Sequence, residues 1–372
     1  MEDWKEVKLG DIAVLNYGKA LRQIDRKEGN IPVYSSAGLT GFHNKPMVDS
    51  KGIIIGRKGT IGKIFKTEVP FCCIDTAYYI IPNDEKYNFD FFFYRLKTLN
   101  LEELNSDSAV PGLNRNIAYD QKLLLPPLPE QRAIAAVLSS LDDKIDLLHR
   151  QNETLEAMAE TLFREWFVEQ ADEDWEEGTL GDVIETTSGG TPSRKNMGFY
   201  ENGTINWVKS KELNGSFIFE TEELITEEAL KKSSAKILPK NSILIAMYGA
   251  TVGKYAVISK EMTCNQAICA LKPNKDYPYT FLFLYIKRNK EDIMSMSIGS
   301  AQQNISQLLI KQLPIINRVD KIQEFHQIVE PYFNKIKNNS IQIRTLTQLR
   351  DTLLPKLMSG EIRIKETEVI TD

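Results

Sequence analysis

Histidine is scarce in this chain, with three residues, His43, His149 and His326, among 372. No nucleophile or metal-ligand pattern surrounds any of them, so a histidine-based active site is not expected. His149 and His326 fall on helical stretches and read as surface residues, while His43 lies in a glycine-rich stretch. Cysteine is equally thin. Cys72, Cys73, Cys264 and Cys269 match no zinc spacing and read as reduced, buried thiols. No apolar run approaches the roughly 18 residues of a membrane helix. The opening Met1-Glu2-Asp3-Trp4-Lys5-Glu6 has no signal-peptide character, so a cytoplasmic protein without a membrane partner is expected. There is no Asn/Asp-Pro-Pro-Tyr/Phe motif of an amino-methyltransferase, no glycine-rich turn opening a βαβ unit, and no nuclease carboxylate cluster. The sequence therefore argues against an enzyme, with no catalytic residue, metal or cofactor expected in this chain. The net charge of −5 argues mildly against non-specific nucleic-acid binding. That acidity is concentrated in residues 128–170, which hold 4 basic and 9 acidic side chains.

What the chain does contain is a repeat. Trp4 and Leu9-Gly10-Asp11 recur 171 positions later as Trp175 and Leu180-Gly181-Asp182. Gly59-Thr60-Ile61-Gly62-Lys63 recurs as Ala250-Thr251-Val252-Gly253-Lys254. Asn116-Ile117 and Leu125-Pro126 are matched, 188 positions on, with Asn304-Ile305 and Leu313-Pro314. The segments 1–127 and 171–316 read as short strands broken by turn residues. Strands are expected at Gly52 to Ile55, Tyr78 to Ile81 and Ile243 to Met247, and short helices at Asp90 to Leu96 and Phe281 to Ile286.

Each copy ends in a long helical pattern. After Pro126-Pro127-Leu128-Pro129, apolar positions run Ile134, Leu138, Leu141, Ile145, Leu148, Leu155, Ala159, Leu162 and Trp166, with Asn152 in the one polar place. The second helix runs Ile322, Phe325, Val329, Tyr332, Ile336, Ile343, Leu346, Leu353 and Leu357, with Asn339 and Arg350 in the seam. Spacings alternating four and three make heptad seams. Helices of about 40 residues, on the order of 60 Å long, need a partner. Antiparallel pairing would set Ile134 against Leu357, Trp166 against Ile322, and Asn152 near Asn339. Either the asparagines pair and fix the register, or each faces solvent. Pro331 and Pro355 are expected to bend the second helix or cut it short. The fold expected is α+β: two similar, mostly-β domains (1–127 and 171–316), each followed by a long helix (128–170 and 317–365), then a tail (366–372). The helices form an antiparallel coiled coil with pseudo-two-fold character.

Polar loops supply the remaining candidates. Gly249 to Lys254 falls one residue short of a phosphate-binding loop, and Tyr255 or, in the first copy, Ile64 stands where Ser/Thr should hold magnesium. The turns instead present Thr60 and Lys63, or Thr251 and Lys254, to a phosphate, or are plain hairpins with solvated lysines. One loop pair is Ile31 to Leu39 (Tyr34, Ser35, Ser36) against Ile205 to Leu213 (Lys209, Ser210, Lys211). The other is Ser108 to Asn116 (Asn114, Arg115) against Gly299 to Asn304 (Gln302, Gln303, Asn304). With His43, Arg57, Lys58 and Tyr248 these residues form a candidate DNA-contacting set. Arg and Lys suit guanine and Asn and Gln suit adenine, although the same residues populate ordinary loops. Arg115, Gln302 and Gln303 are expected nearer the DNA than Lys232 or Lys287.

The order module, helix, module, helix resembles the specificity subunit of type I restriction-modification systems. The residues carrying the resemblance are Leu125-Pro126-Pro127-Leu128-Pro129-Glu130-Gln131-Arg132-Ala133-Ile134, Leu162-Phe163-Arg164-Glu165-Trp166-Phe167, the Trp175 and Leu180-Gly181-Asp182 repeat, and the close Leu353-Leu354-Pro355-Lys356-Leu357-Met358-Ser359-Gly360. The second copy departs from it, with Ile315-Ile316-Asn317-Arg318 where the first has Pro127-Leu128-Pro129-Glu130. The resemblance implies two target-recognition domains, each reading half of a split double-stranded DNA site, with the helices setting the gap. It implies two adenine methyltransferase subunits as partners, to which motor-endonuclease subunits can add. S-adenosylmethionine, ATP and magnesium would belong to those partners. The alternative is a non-catalytic two-headed scaffold that binds proteins.

Overall fold

A computed structural model of the chain describes residues 4–104, 112–171, 175–296 and 304–364. They divide into two units: residues 1–146 with 344–372, and residues 147–343. Both long helices contribute one stretch to each unit.

Unit 1 is organised around Gly52–Gly56, a wholly buried strand whose Ile-Ile-Ile run marks it for a sheet centre. It pairs antiparallel with Ile64–Thr67 on one side and Ala77–Ile80 on the other, and Asn16–Tyr17 adds at the edge. The register sets Ile55 opposite Tyr78, and Tyr78 opposite Tyr17. A second sheet holds Gly38–His43, Ile31–Ser35 and Cys72–Cys73, the last pair parallel. A ribbon joins Lys5–Lys8 to Lys122–Leu125. The helix Phe89–Lys97 is capped by Asn88, whose side chain accepts the Phe91 N–H at 3.0 Å.

Unit 2 repeats this plan. Ile243–Ala246 is the buried central strand, between Tyr255–Ile258 and Ile268–Lys272, with Glu185–Ser188 and Phe217–Ile218 at the edges. Leu224–Ile225, Ile205–Val208 and Thr263–Cys264 make the smaller sheet, again with one parallel pair. Glu177–Thr179 pairs with Pro314–Ile316, and Tyr279–Arg288 is the buried short helix. All four cysteines are buried, unpaired thiols.

The Trp of each repeat stands beside an arginine. In unit 1 the Trp4 indole donates to Glu130 at 3.1 Å, and Arg363 reaches the same carboxylate at 2.5 and 2.8 Å. In unit 2 Arg318 lies 5.1 Å from the Trp175 ring.

The helices are Leu128–Arg164 and Val319–Ser359. In unit 1 Ile134 and Leu138 share a core with Leu357 and Met358, and Arg350 meets Asp142 at 2.6 Å. In unit 2 Phe163 packs on Phe325 with ring centroids 5.8 Å apart. Asn339, wholly buried, donates its side-chain amide to Asn152 Oδ1 at 2.9 Å. The helix segments within each unit therefore run antiparallel. Ile145, Leu148, Val329 and Ile336 are buried, while Leu141, Leu155, Leu162, Ile343, Leu346 and Leu353 are half-buried.

Several expectations need correcting. The second helix runs through Pro331 and Pro355 without ending, so the prolines do not cut it short. A proline inside a helix costs about 3 kcal/mol, and burial of Val329, Phe333 and Leu357 around the two prolines offsets it. The seam drifts after Ala159, so that Phe163 and Phe167 are buried and Leu162 and Trp166 only partly so. There the helix faces Phe281 as well as Phe325, and it loosens to a π turn over Glu165–Glu169. His326 is not a free surface residue, because its Nδ1 lies 2.9 Å from Thr280 Oγ1. Much of Ile31 to Leu39 and Ile205 to Leu213 is strand, not loop. Pro32 obscured the first strand, and the pairing shifts register between Pro32 and Tyr34 to accommodate it.

The pair of half-buried Asn152 and wholly buried Asn339 yields a prediction. Asn339→Ala removes the donor to Asn152 Oδ1 and should lower stability by about 0.5–1.5 kcal/mol in denaturant melts. Asn152→Leu with Asn339→Leu should recover most of that loss.

Candidate nucleic-acid interface

The candidate site of unit 1 forms where three chain segments meet. The turn after Gly52–Gly56 sends the Arg57 and Lys58 N–H groups to the Thr76 carbonyl, at 2.9 and 3.0 Å. The Ser36 N–H donates to Thr76 Oγ1 at 3.2 Å. The Leu113 N–H donates to the Arg57 carbonyl at 2.9 Å, and Lys58 pairs with Gly112. Asn114 then caps the helix Arg115–Tyr119, its side chain accepting the Asn116 N–H at 2.9 Å. Ser36, Arg57, Lys58, Thr60 and Arg115 are thereby gathered at one end of the sheet.

A residue absent from the sequence candidates sits among them. Tyr17 is 47% exposed, and the guanidinium carbons of Arg57 and Arg115 each lie 5.0 Å from its ring centroid. Such contacts stabilise by about 0.5–1 kcal/mol at exposed sites. Tyr78 supports Tyr17 edge-on at 5.1 Å. Burial, reinforced by Tyr17, pushes the Tyr78 phenol up to about 12 despite the neighbouring arginines. It stays protonated at neutral pH and donates to the Leu113 carbonyl at 3.1 Å. Among the described residues neither Arg57 nor Arg115 has a carboxylate partner, nor do the exposed Lys58 and Lys63.

Other candidates are committed elsewhere. Tyr34 is half-buried, edge-on to Phe71 at 6.3 Å. Ser35 Oγ accepts the Ala37 N–H at 3.2 Å within its own turn. His43 ends a strand, not a loop, and its Nδ1 accepts the Lys27 N–H at 3.0 Å. In unit 2 Lys209 is only 16% exposed and bonded to Glu223 and Glu222 at 2.7 and 3.0 Å. Lys211 is held by Glu222 at 2.6 Å, and Ser210 opens the 3-10 turn beside it. Lys287 is bonded to Glu156 at 2.6 Å and to Glu160, and Lys232 to Glu228 at 2.7 Å.

The tip of unit 2 shares the backbone of unit 1. Met247 N–H donates to the Ala267 carbonyl at 2.8 Å, and Ile305 N–H to the Met247 carbonyl at 2.9 Å. Tyr248, 42% exposed, pairs with Asn304. Thr251 Oγ1 donates to the Tyr248 carbonyl at 2.9 Å, and Lys254 is exposed. Gln302 and Gln303 lie outside the described residues.

These bonds correct the alignment of the repeat. Ser306 caps the helix Gln307–Lys311 as Asn114 caps Arg115–Tyr119, and Gly181 abuts Lys311 as Gly10 abuts Tyr119. The offset here is 192 positions (Asn114 to Ser306), four more than the Asn-Ile match gave. Arg115 therefore corresponds to Gln307, Arg57 to Met247, and Tyr17 to Ser188. The pairing of Tyr34-Ser35-Ser36 with Val208-Lys209-Ser210 matches the two parallel ladders, in which Tyr34 faces Cys73 and Val208 faces Cys264. A signal for Tyr17 existed: extending the 171-position match sets Tyr17-Gly18 over Ser188-Gly189.

Residues 1–157 and 172–346 both match the type I restriction modification DNA specificity domain. The chain belongs to that family. The type I restriction enzyme MjaIX specificity subunit of Methanocaldococcus jannaschii is 27% identical, with 84% of this chain and 78% of that protein covered. The HindI specificity subunit of Haemophilus influenzae is 25% identical over 97% of this chain and all of that protein. The crystal structure of a type I restriction-modification S subunit from M. genitalium shares the fold, with a TM-score of 0.70 at 18% identity and 95% and 96% coverage. A protein scaffold is not favoured over a specificity subunit by these likenesses. Among the described residues no cluster of three His, Cys, Asp or Glu suits a metal, and no helix is long and apolar enough to cross a membrane.

The turn of this specificity-family protein gives a test. Gly59 and Gly62 both have positive φ, +76° and +71°. A Cβ on Gly62 would lie 2.2 Å from the Glu102 nitrogen, whereas on Gly59 the nearest atom is 3.8 Å away. Gly59→Ala should cost about 1 kcal/mol, and Gly62→Ala clearly more, in thermal melts.

Proposed function

We propose that this chain is the non-catalytic subunit that gives a type I restriction-modification complex its DNA sequence preference. Each unit reads one half of a bipartite double-stranded site, and the long helices set the gap between halves. The observation that carries this reading is a shared backbone frame with different side chains at its tip: Tyr17, Arg57 and Arg115 in one unit, Ser188, Met247 and Gln307 in the other. Lys58, Lys63 and Lys254, exposed at these tips, would neutralise phosphates and make affinity salt-dependent. Lys209, Lys211, Lys232 and Lys287 are already neutralised by glutamates and are poor phosphate ligands.

Two adenine methyltransferase subunits would dock on the helix–module junctions, and motor-endonuclease subunits would add to that assembly. S-adenosylmethionine, ATP and magnesium would be used by those partners. The complex would act in the cytoplasm.

Methylome sequencing of cells with and without the gene tests the reading. One adenine-methylated, two-part motif should vanish on deletion. An unchanged methylome would refute the assignment.

A further inference from the structure

The two tips differ in kind. In unit 1 two guanidiniums stand 5.0 Å from one exposed tyrosine ring, so they lie within about 10 Å of each other by those two distances. Like charges this close repel. No carboxylate among the described residues answers either of them. The Arg115 Nε is also buried with no hydrogen-bond partner. The backbone holds the pair in place: Arg57 through Thr76 and Leu113, Arg115 through the Asn114 cap. A guanidinium has donors only, in a planar fork. The ligand that fits is therefore one that presents paired acceptors.

Two such groups exist on a DNA duplex, the guanine O6/N7 edge and a backbone phosphate. A phosphate also takes a simple point charge, and the exposed Lys58 and Lys63 supply that beside the pair. Forks held 5.0 Å from an aromatic ring are restricted in position, as edge recognition of a base requires.

Unit 2 has no cation at the three matching places. Ser188 replaces Tyr17, and Met247, 2% exposed, replaces Arg57. Gln307 replaces Arg115, its amide donating to Thr186 Oγ1 at 2.6 Å. These three positions are neutral, and this tip carries the exposed Lys254 as a cation.

We infer that unit 1 reads a G·C pair in its half-site through Arg57 and Arg115 held against Tyr17, and that the equivalent positions of unit 2 offer no such pair of cations to its half-site. This rests on the function proposed above.

The test compares methylomes of the native host carrying the wild-type gene, Arg115→Ala or Arg115→Lys. Arg115→Ala should relax discrimination at one G·C pair, in one half of the motif, by roughly ten- to a hundredfold. The other half and the gap should not change. Arg115→Lys should relax the same pair, since it keeps the charge and loses the fork. A uniform fall in methylation with the motif intact would mark a phosphate contact and overturn the inference. So would relaxation in both halves, a wild-type motif with no G·C pair, or loss of all methylation in both variants. In each of these cases the bipartite motif still disappears on gene deletion if the proposed function is right. A deletion that changes nothing is the distinct failure of that function.

Discussion

Neither module has a complete core without the helices. Ile134, Leu138, Leu357 and Met358 belong to the same buried cluster as Ile53, Tyr78 and Phe91 in unit 1. In unit 2, Ala159, Phe163, Phe167, Phe325 and Phe333 share a core with Ile243, Tyr279 and Phe281. Stretches this long are not held by helix propensity, and packing of an apolar face stabilises them. Each fully buried side chain contributes about 1.5–3 kcal/mol, so module and helix stretch must fold together. A helix used in this way cannot drift relative to the module it completes.

That constraint explains what the repeat retains and what it releases. The retained parts are those in contact with the helices and the central strand. They include Leu9 and Leu180, both fully buried, and Gly10 and Gly181, which leave no room for a side chain beside Tyr119 and Lys311. The retained backbone bonds at the tip, from Leu113 to Arg57 and from Ile305 to Met247, use no side chain. Tip side chains that stay outside the core, such as Arg57 and Arg115, are therefore free to differ without cost to the frame, whereas Met247 is packed in the core. Loops that carry recognition on a rigid scaffold follow the same logic.

Much of this was legible in the sequence. The heptad spacing gave both helices, and the Asn152–Asn339 contact sits where antiparallel seams put it. The triple-isoleucine strand and the Phe-rich short helix were equally plain. Other features were hidden for physical reasons. Pro331 and Pro355 are poor helix residues outweighed by tertiary packing, which no local pattern reveals. Pro32 masked a strand that tolerates it through a register shift. The Asn-Ile match misaligned the second half by four residues because a capping residue, Asn114 or Ser306, defines that position, and capping depends on geometry rather than identity. Tyr17 escaped notice because its significance lies in two arginines that are distant in sequence.

The central claim is that one frame carries two different readers, and moving the side chains should move the reading. The direct measurement is the methylome of a strain whose specificity subunit carries Ser188→Tyr, Met247→Arg and Gln307→Arg together, placing the unit 1 tip on unit 2. The account predicts a motif whose second half acquires a G·C pair where the first has one, with the first half and the gap unchanged. A folded, methylation-competent variant that keeps the original second half would contradict it.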